Sequence, residues 1–219
     1  MTAERMDDGE SRGAPAGQDD FVRTLAEHGI VRNYPKGAII ITEGDPSDSL
    51  YVILAGRVKV FLSDGAGHEV VLAVHGAGTY VGEMAFDDAP RSASVMTLEP
   101  CTLSVLSGKQ FKEFVTAKPE SAVHLIRNLI HRARVASDSI RNLALLDVYG
   151  RVARLLLDLA QEKEGRLVID QPYTQQELAQ RVGCSREMIS RIFKDLVAGG
   201  YIKLEGRRIR IEQALPKRW

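Results

Sequence analysis

The hydrophobic pattern of this chain changes character three times. Residues 1–18, MTAERMDDGESRGAPAGQ, are rich in Gly, Pro, Asp and Glu and show no periodicity, so they read as a disordered tail. From about Phe21 a short helix leads into Tyr34-Pro35. Between 34 and 107 the apolar runs are short: Ala38–Thr42, Leu50–Leu54, Arg57–Leu62, Glu69–Val74, Ala93–Thr97 and Cys101–Ser107. Turn-rich pieces such as EGDPSDS, SDGAG, HGAG and DDAP separate them. Many short strands with Gly turns predict a barrel or a sandwich-like roll.

The period then lengthens. From Pro119 to about Leu146 the chain holds no Gly and no further Pro, and Pro119 suits a first helical turn. Ile126, Ile130, Ala133, Ser137, Ile140 and Ala144 recur at heptad spacing. Such a seam pairs with a copy of itself or packs on the chain's own roll. Asp147 reads as the N-cap of a second helix, Val148 to about Glu162, with Gly165 ending that element.

The stretch TQQELAQRVGCSREMISRIFKDL, Thr174 to Leu196, has the pattern of a helix-turn-helix. Leu178, Val182, Cys184, Ile189 and Ile192 fall where two crossed helices bury their contact, and small Ala179 sits at the closest approach. Gly183 stands at the turn, where a left-handed backbone is free of steric cost only for Gly. Over Arg186–Lys194, Ile189, Ile192 and Phe193 share one side of the helical wheel. Arg186, Glu187, Ser190, Arg191 and Lys194 share the other. Arg grips guanine O6 and N7 with two bonds, and Glu accepts from the cytosine amine, so this face suits the major groove. Tyr201–Leu204, Glu205-Gly206 and Arg207–Ile211 predict a hairpin, a basic wing beside the second helix.

Composition sharpens this picture in two ways. Lys plus Arg and Asp plus Glu balance at 29 each, yet residues 1–20 hold six acidic and two basic side chains. Residues 171–219 hold ten basic and five acidic ones. A locally basic end on a neutral chain has the form of a nucleic-acid footprint. Cys101 and Cys184 are far apart, and no Cys/His cluster has metal-ligand spacing, so no metal site is expected. His75 is the one candidate axial ligand for a haem, or else a satisfied strand-end His. No apolar run reaches the roughly 18 residues of a membrane span. The acidic start is wrong for a signal peptide, so a cytoplasmic chain is expected, with no membrane partner.

A second chemical motif lies in the β-region, Gly82-Glu83-Met84-Ala85-Phe86-Asp87-Asp88-Ala89-Pro90-Arg91-Ser92-Ala93-Ser94-Val95. A Gly-Glu start and a Pro-Arg-Ser end build a compact anion pocket, with Arg91 offering a fork of donors to a phosphate. Ser92 and free backbone N–H groups add bonds, and Glu83 can accept from a sugar hydroxyl. The alternative is a surface loop with a local Glu83–Arg91 ion pair. Catalytic residues are not expected. Asp87-Asp88 and Glu162/Glu164 are paired carboxylates without a nucleophile–base–orienter set, placed by pattern in a turn and on a solvated helix end.

Over about residues 20–212 the chain resembles the cyclic AMP receptor protein/fumarate-nitrate regulator (CRP/FNR) family of bacterial transcription factors. The resemblance is carried in order by EGDPSDSLYVILAGRVKV, GEMAFDDAPRSASV, the long helix, NLALLDVYGRVARLLLDLA and QELAQRVGCSREMISRIFKDL. It implies an α+β fold: a disordered tail over 1–18, a cyclic-nucleotide-binding β-roll over 19–117, a dimerisation helix over 118–146 and a winged helix-turn-helix over 147–219. It implies ligand contacts from Gly82, Glu83, Met84, Arg91, Ser92 and Ser137. Glu83 would take a ribose 2′-hydroxyl, Arg91 the cyclic phosphate, and Ser137 the purine. Gln176, Ser185, Arg186, Glu187, Ser190, Arg191 and Lys194 would meet DNA, at a palindrome with TGTGA-like half-sites. A homodimer, RNA polymerase as partner and cyclic AMP as effector follow from the same resemblance. Two departures stand out. The stretch from Glu83 to Arg91 is short for a cyclic-AMP binder and carries Asp87-Asp88, and Ala136 replaces a Thr frequent beside the purine-facing Ser. They leave open another cyclic nucleotide, cyclic di-GMP, or a pocket that no longer senses.

Overall fold

A computed structural model describes residues 18–46, 48–86, 89–163, 165–206 and 208–216. The expected tail lies outside them except for Gln18, as do Asp87, Asp88, Glu164 and Arg207. The described residues form two compact units, one from those up to 64 with 71–132, the other from 65–70 with those from 133 on.

The first unit opens with helix α1 (Gln18–Ala26) and is otherwise built around eight strands. These are β1 (Ile30–Tyr34), β2 (Ile39–Ile41), β3 (Ser49–Ala55), β4 (Arg57–Ser63), β5 (Glu69–Gly76), β6 (Thr79–Val81), β7 (Ser94–Thr97) and β8 (Cys101–Ser107). They make two four-stranded sheets in the orders β1-β8-β3-β6 and β2-β7-β4-β5. Helix α2 (Gly108–Ala117) follows, opened by a capping box between Ser107 and Gln110. The inward residues of β3, Leu50, Val52 and Ile53, are fully buried. Leu50 and Val52 join Val22, Leu25, Tyr80, Leu106, Phe111 and Phe114 in one core, while Ile53 packs with Ile41, Val58, Val81, Val95 and Leu103 in another.

All six expected strands are present. β1 is an addition: residues after α1 do not run irregularly into Tyr34 but pair with β8, Ile30 opposite Val105 and Tyr34 opposite Cys101. An edge strand leaves Ile30 and Val31 both exposed, so it carries no alternation for a pattern to reveal. β6 is three residues long, too short to carry a period, and exists by pairing with β3.

Helix α3 spans Pro119–Leu145, as its period predicts. Within the first unit, Ile126 and Ile130 of the seam are 55% and 48% exposed. The roll therefore leaves that part of the seam uncovered.

In the second unit α4 runs Val148–Leu159, with Asp147 accepting from the Gly150 N–H at 2.7 Å. This helix is shorter than the pattern suggests. Ala160 turns extended, and β9 (Gln161–Lys163) pairs with β10 (Arg166–Ile169) across a turn in which Gly165 has φ +74°. Glu162 thus lies in a strand, not at a helix end. Hairpin pairing of β9 with β10, itself held by distant β12, overrides the local helical period. Helices α5 (Gln175–Val182) and α6 (Arg186–Ala198) and strands β11 (Ile202–Glu205) and β12 (Arg208–Ile211) complete the unit. Its sheet order is β11-β12-β10-β9.

Candidate functional site

The cassette of the first unit begins at Gly82, whose φ of +88° is open to Gly and strained for other residues. A Cβ there would lie 2.8 Å from the Ser49 carbonyl oxygen and 3.0 Å from Arg91 Nη1, so close packing also demands Gly. Glu83, Met84, Ala85 and Phe86 form one turn of 3₁₀ helix. Arg91 is only 6% exposed. Its Nη1 donates to the Gly82 carbonyl at 3.1 Å and its Nη2 to that of Ser49 at 2.5 Å. Burial pushes the Arg91 pKa down, opposed by Tyr51, Asp48 and Glu83. Arg91 thus ties the Gly82 and Ser49 main chains together with part of its donor fork.

Glu83 does not pair with Arg91. Its Oε1 accepts from Arg132 Nη1 at 2.7 Å, a residue of α3 that the sequence reading missed. Arg132 Nη2 also donates to the Tyr80 carbonyl at 2.8 Å, and Asn128 Oδ1 accepts from its Nε at 2.9 Å. No local pattern could have found this pair, because its partners lie 49 residues apart. Gly82, Glu83, Met84, Arg91, Ser92 and Arg132 line one half-open cavity with apolar Ile41, Val60, Val81 and Val95 behind them. Ser92 is exposed and makes no hydrogen bond among the described residues. The cavity is about 70 Å³, room for a few waters. Small-molecule sites typically enclose roughly 300–1,000 Å³.

Half-buried His75, near the end of β5, is held neutral: burial, aided by the charge of Arg132, lowers its pKa to about 4. Ser137, on the seam of α3, is exposed and donates back to the Ala133 carbonyl at 3.0 Å, a bond any Ser in a helix can make. Among the described residues no cluster of three His, Cys, Asp or Glu could hold a metal, and no helix is long and apolar enough to cross a membrane.

The helix-turn-helix has the predicted local chemistry. Thr174 Oγ1 accepts from the Glu177 N–H at 3.1 Å while Glu177 Oε2 accepts from the Thr174 N–H at 2.6 Å, a reciprocal cap that starts α5. Gly183 ends it in the left-handed region, φ 70° and ψ 53°. Ser185 caps α6, its Oγ accepting from the Met188 N–H at 3.2 Å. Ile189, Ile192, Phe193 and Leu196 are buried against Leu178, Ala179 and Val182, with Cys184 partly buried beside them. Arg186, Glu187, Ser190, Arg191 and Lys194 are all exposed. Gln176, one residue into α5, is exposed too.

None of the side chains of Arg186, Glu187, Arg191 and Lys194 has an ion pair or hydrogen bond among the described residues. The wing differs. Lys203 and Arg210 pair with Glu205, and Arg208 pairs with Asp170, which also binds Lys163. The described cations of the wing are thus paired with Glu205 or with Asp170 of the neighbouring strand end. Among the described residues of the helix-turn-helix and wing, Arg186, Arg191 and Lys194 on α6 are the cations without a partner.

A family model described as a cyclic nucleotide-binding domain matches residues 31–118, and one described as a Crp-like helix-turn-helix domain matches 150–214. The chain is 33% identical over 187 residues to the CRP-like cAMP-activated global transcriptional regulator of Mycobacterium tuberculosis, covering 83% of this chain and 84% of that one. It is 36% identical over 197 residues to the cAMP-activated global transcriptional regulator CRP of Haemophilus influenzae, covering 88% of each. Among solved structures, the c-di-GMP responsive global regulator CLP of Xanthomonas campestris superposes with a TM-score of 0.75 at 28% identity, over 89% of this chain and 99% of that one. Matches to both family models, with relatives this similar over more than four fifths of the chain, place the protein in the CRP/FNR family of DNA-binding transcription regulators.

Proposed function

We propose that this chain is a ligand-gated homodimeric transcription factor that senses a cyclic nucleotide and binds a palindromic, TGTGA-like operator. The observation that carries it is the face of α6. Arg186, Glu187, Ser190, Arg191 and Lys194 stand free over a locked apolar back, in a chain that also holds the Glu83/Arg91 cassette. In this reading residues 19–117 sense, 118–146 pair two copies and 147–219 bind DNA.

Arg186 and Arg191 read guanines, Glu187 accepts from cytosine, and Gln176, Ser185, Ser190 and Lys194 hold the backbone and flanks. Pairing through the exposed Ile126, Ile130 and Ile140 puts half-site centres about one helical turn, roughly 34 Å, apart. In the pocket Arg91 and Ser92 take the phosphate, Glu83 a ribose hydroxyl, Gly82 and Met84 the ligand's edge, and Ser137 the base. Arg132 joins this set. A nucleotide is too large for the cavity, so its entry opens the cassette and re-partners Glu83 away from Arg132. Relatives named as cAMP-activated favour cyclic AMP, and the c-di-GMP responsive relative makes the cyclic dinucleotide the second candidate. RNA polymerase is the protein partner, and the cytoplasm is the compartment where operator and polymerase meet.

Calorimetric titration with cyclic AMP, cyclic GMP and cyclic di-GMP, followed by operator binding with and without each, tests the reading. One nucleotide is expected to release or absorb heat and to tighten operator binding. By linkage, operator DNA tightens that nucleotide's binding by the same factor. No heat with any of the three sinks the sensing role. A protein that sediments as a monomer at working concentration sinks the paired-helix arrangement.

A further inference from the structure

One guanidinium in the second unit has work that neither the groove-reading face nor the pocket explains. Arg151 is the fourth residue of α4. Its Nη1 donates to the Leu146 carbonyl at 3.1 Å and its Nε to the Val182 carbonyl at 3.1 Å. Both acceptors sit at helix C-termini. Leu146 directly follows α3 and its N–H donates to the Asn142 carbonyl at 3.0 Å. Val182 is the last residue of α5, before the left-handed turn at Gly183. The last carbonyls of a helix have no partner within it, and a cation there also meets the negative end of the helix dipole. Arg151 therefore caps the ends of two different helices at once.

Main-chain hydrogen bonds brace both sides. The Arg151 N–H donates to the Asp147 carbonyl at 3.0 Å, so the link Leu146-Asp147 is tied to the start of α4. Past Val182, the N–H groups of Gly183 and Cys184 both donate to the Ala179 carbonyl, at 2.9 and 3.1 Å. Ser185 then caps α6. Arg151 is half-buried and bonded to main chain at two places. Its planar fork fixes both carbonyls in defined directions, which a Lys ammonium cannot do.

We propose that Arg151 is a positioning residue: it locks the end of the long helix to the turn that launches the recognition helix. A change in the paired long helices then moves the recognition helix as a body, rather than being lost in the Leu146-Asp147 link. The functional half of this inference rests on the ligand-gated reading above; the structural half does not.

The test uses the full-length protein, with Arg151→Gln to remove the charged fork and Arg151→Lys to keep the charge without it. Hydrogen exchange on the free protein reads the lock. In Arg151→Gln the amides of Leu146, Gly183 and Cys184 are expected to exchange about tenfold faster, with α6 and the β-strands of the first unit unchanged. Arg151→Lys should fall between. A uniform rise over the whole second unit, or no rise at those amides, overturns the lock.

DNA binding reads its use. Arg151→Gln should keep its affinity and base preference for a single half-site, because the α6 face is untouched. It should lose discrimination between the operator and a version with its half-sites moved one base pair apart, and lose most of the ligand-induced tightening. Faster exchange with spacing discrimination and tightening both intact overturns the positioning role. If wild type itself shows no ligand effect, the sensing proposal has failed, and the spacing comparison still decides the role of Arg151.

Discussion

The cassette and the recognition helix use polar side chains in opposite ways. In the cassette they are already engaged. Arg91 holds the Gly82 and Ser49 carbonyls, Glu83 holds Arg132, and Arg132 holds the Tyr80 carbonyl, around a cavity too small for a nucleotide. On α6 the corresponding groups are free: Arg186, Glu187, Arg191 and Lys194 have no partner among the described residues, while Ile189, Ile192 and Phe193 lock the helix from behind. In the proposed function the α6 face would meet DNA without giving up internal bonds. The pocket would have to exchange internal bonds for ligand bonds, so its net affinity would be a difference between two sets of contacts.

If the cassette groups support the fold and the α6 groups do not, substitutions should separate the two. Arg91→Leu is the largest expected effect. It takes one charged donor from each of the Gly82 and Ser49 carbonyls, which costs roughly 2–4 kcal/mol of stability and eliminates nucleotide binding. Urea unfolding followed by calorimetry measures both, and an unchanged midpoint would show that the Gly82 and Ser49 bonds are not part of the fold's support.

His75 gives the next effect. Its folded pKa of about 4 lies below the unfolded 6.5, so between those values the unfolded chain binds more protons. Stability therefore falls as pH drops from about 6.5 toward 4, by roughly 1–3 kcal/mol from this group. His75→Gln should flatten that part of the pH–stability curve in urea titrations. A curve of the same slope in the variant would place the proton uptake elsewhere.

The smallest stability change is expected on α6, with the loss appearing in recognition instead. Arg186→Ala or Arg191→Ala should change stability by less than about 0.5 kcal/mol yet weaken operator binding by on the order of 1–3 kcal/mol and relax base preference. Arg208→Ala in the wing, already paired to Asp170, should cost less operator affinity than either. Equal loss on operator and random DNA, followed by fluorescence anisotropy, would mean that Arg186 and Arg191 touch only phosphate.

The two regions also differ in how far a linear pattern exposes them. The helix-turn-helix is a local device. Its caps at Thr174 and Ser185, its left-handed Gly183 and its apolar back all lie within some 25 residues, so period and turn chemistry describe the structure almost completely. The cassette is local only in part. Gly82, Glu83, Met84, Arg91 and Ser92 were legible as a motif, and the structure brings them to one cavity. The partner of Glu83 was not, nor was the use of Arg91 on main-chain carbonyls. The same contrast holds for the elements. β2, β3, β4, β5, β7 and β8 followed from alternation and turns, while the edge strand β1, the short β6 and the strand β9 that cuts α4 short did not.

Taken alone, the residues determined what depends on neighbours along the chain. Helix periods, caps, turn glycines and the split of free charge from apolar back on α6 are set within a few residues, where geometry is the same in any protein. The tertiary structure decided what depends on segments meeting across long loops. Arg132 on Glu83 and Arg151 bridging Leu146 and Val182 are of this kind, as is β1 on β8. An arginine's reach and an edge strand's hydrogen bonds leave no period in the sequence. Their partners are chosen only when the fold brings unpaired carbonyls and carboxylates within bonding distance, and no local rule encodes that choice.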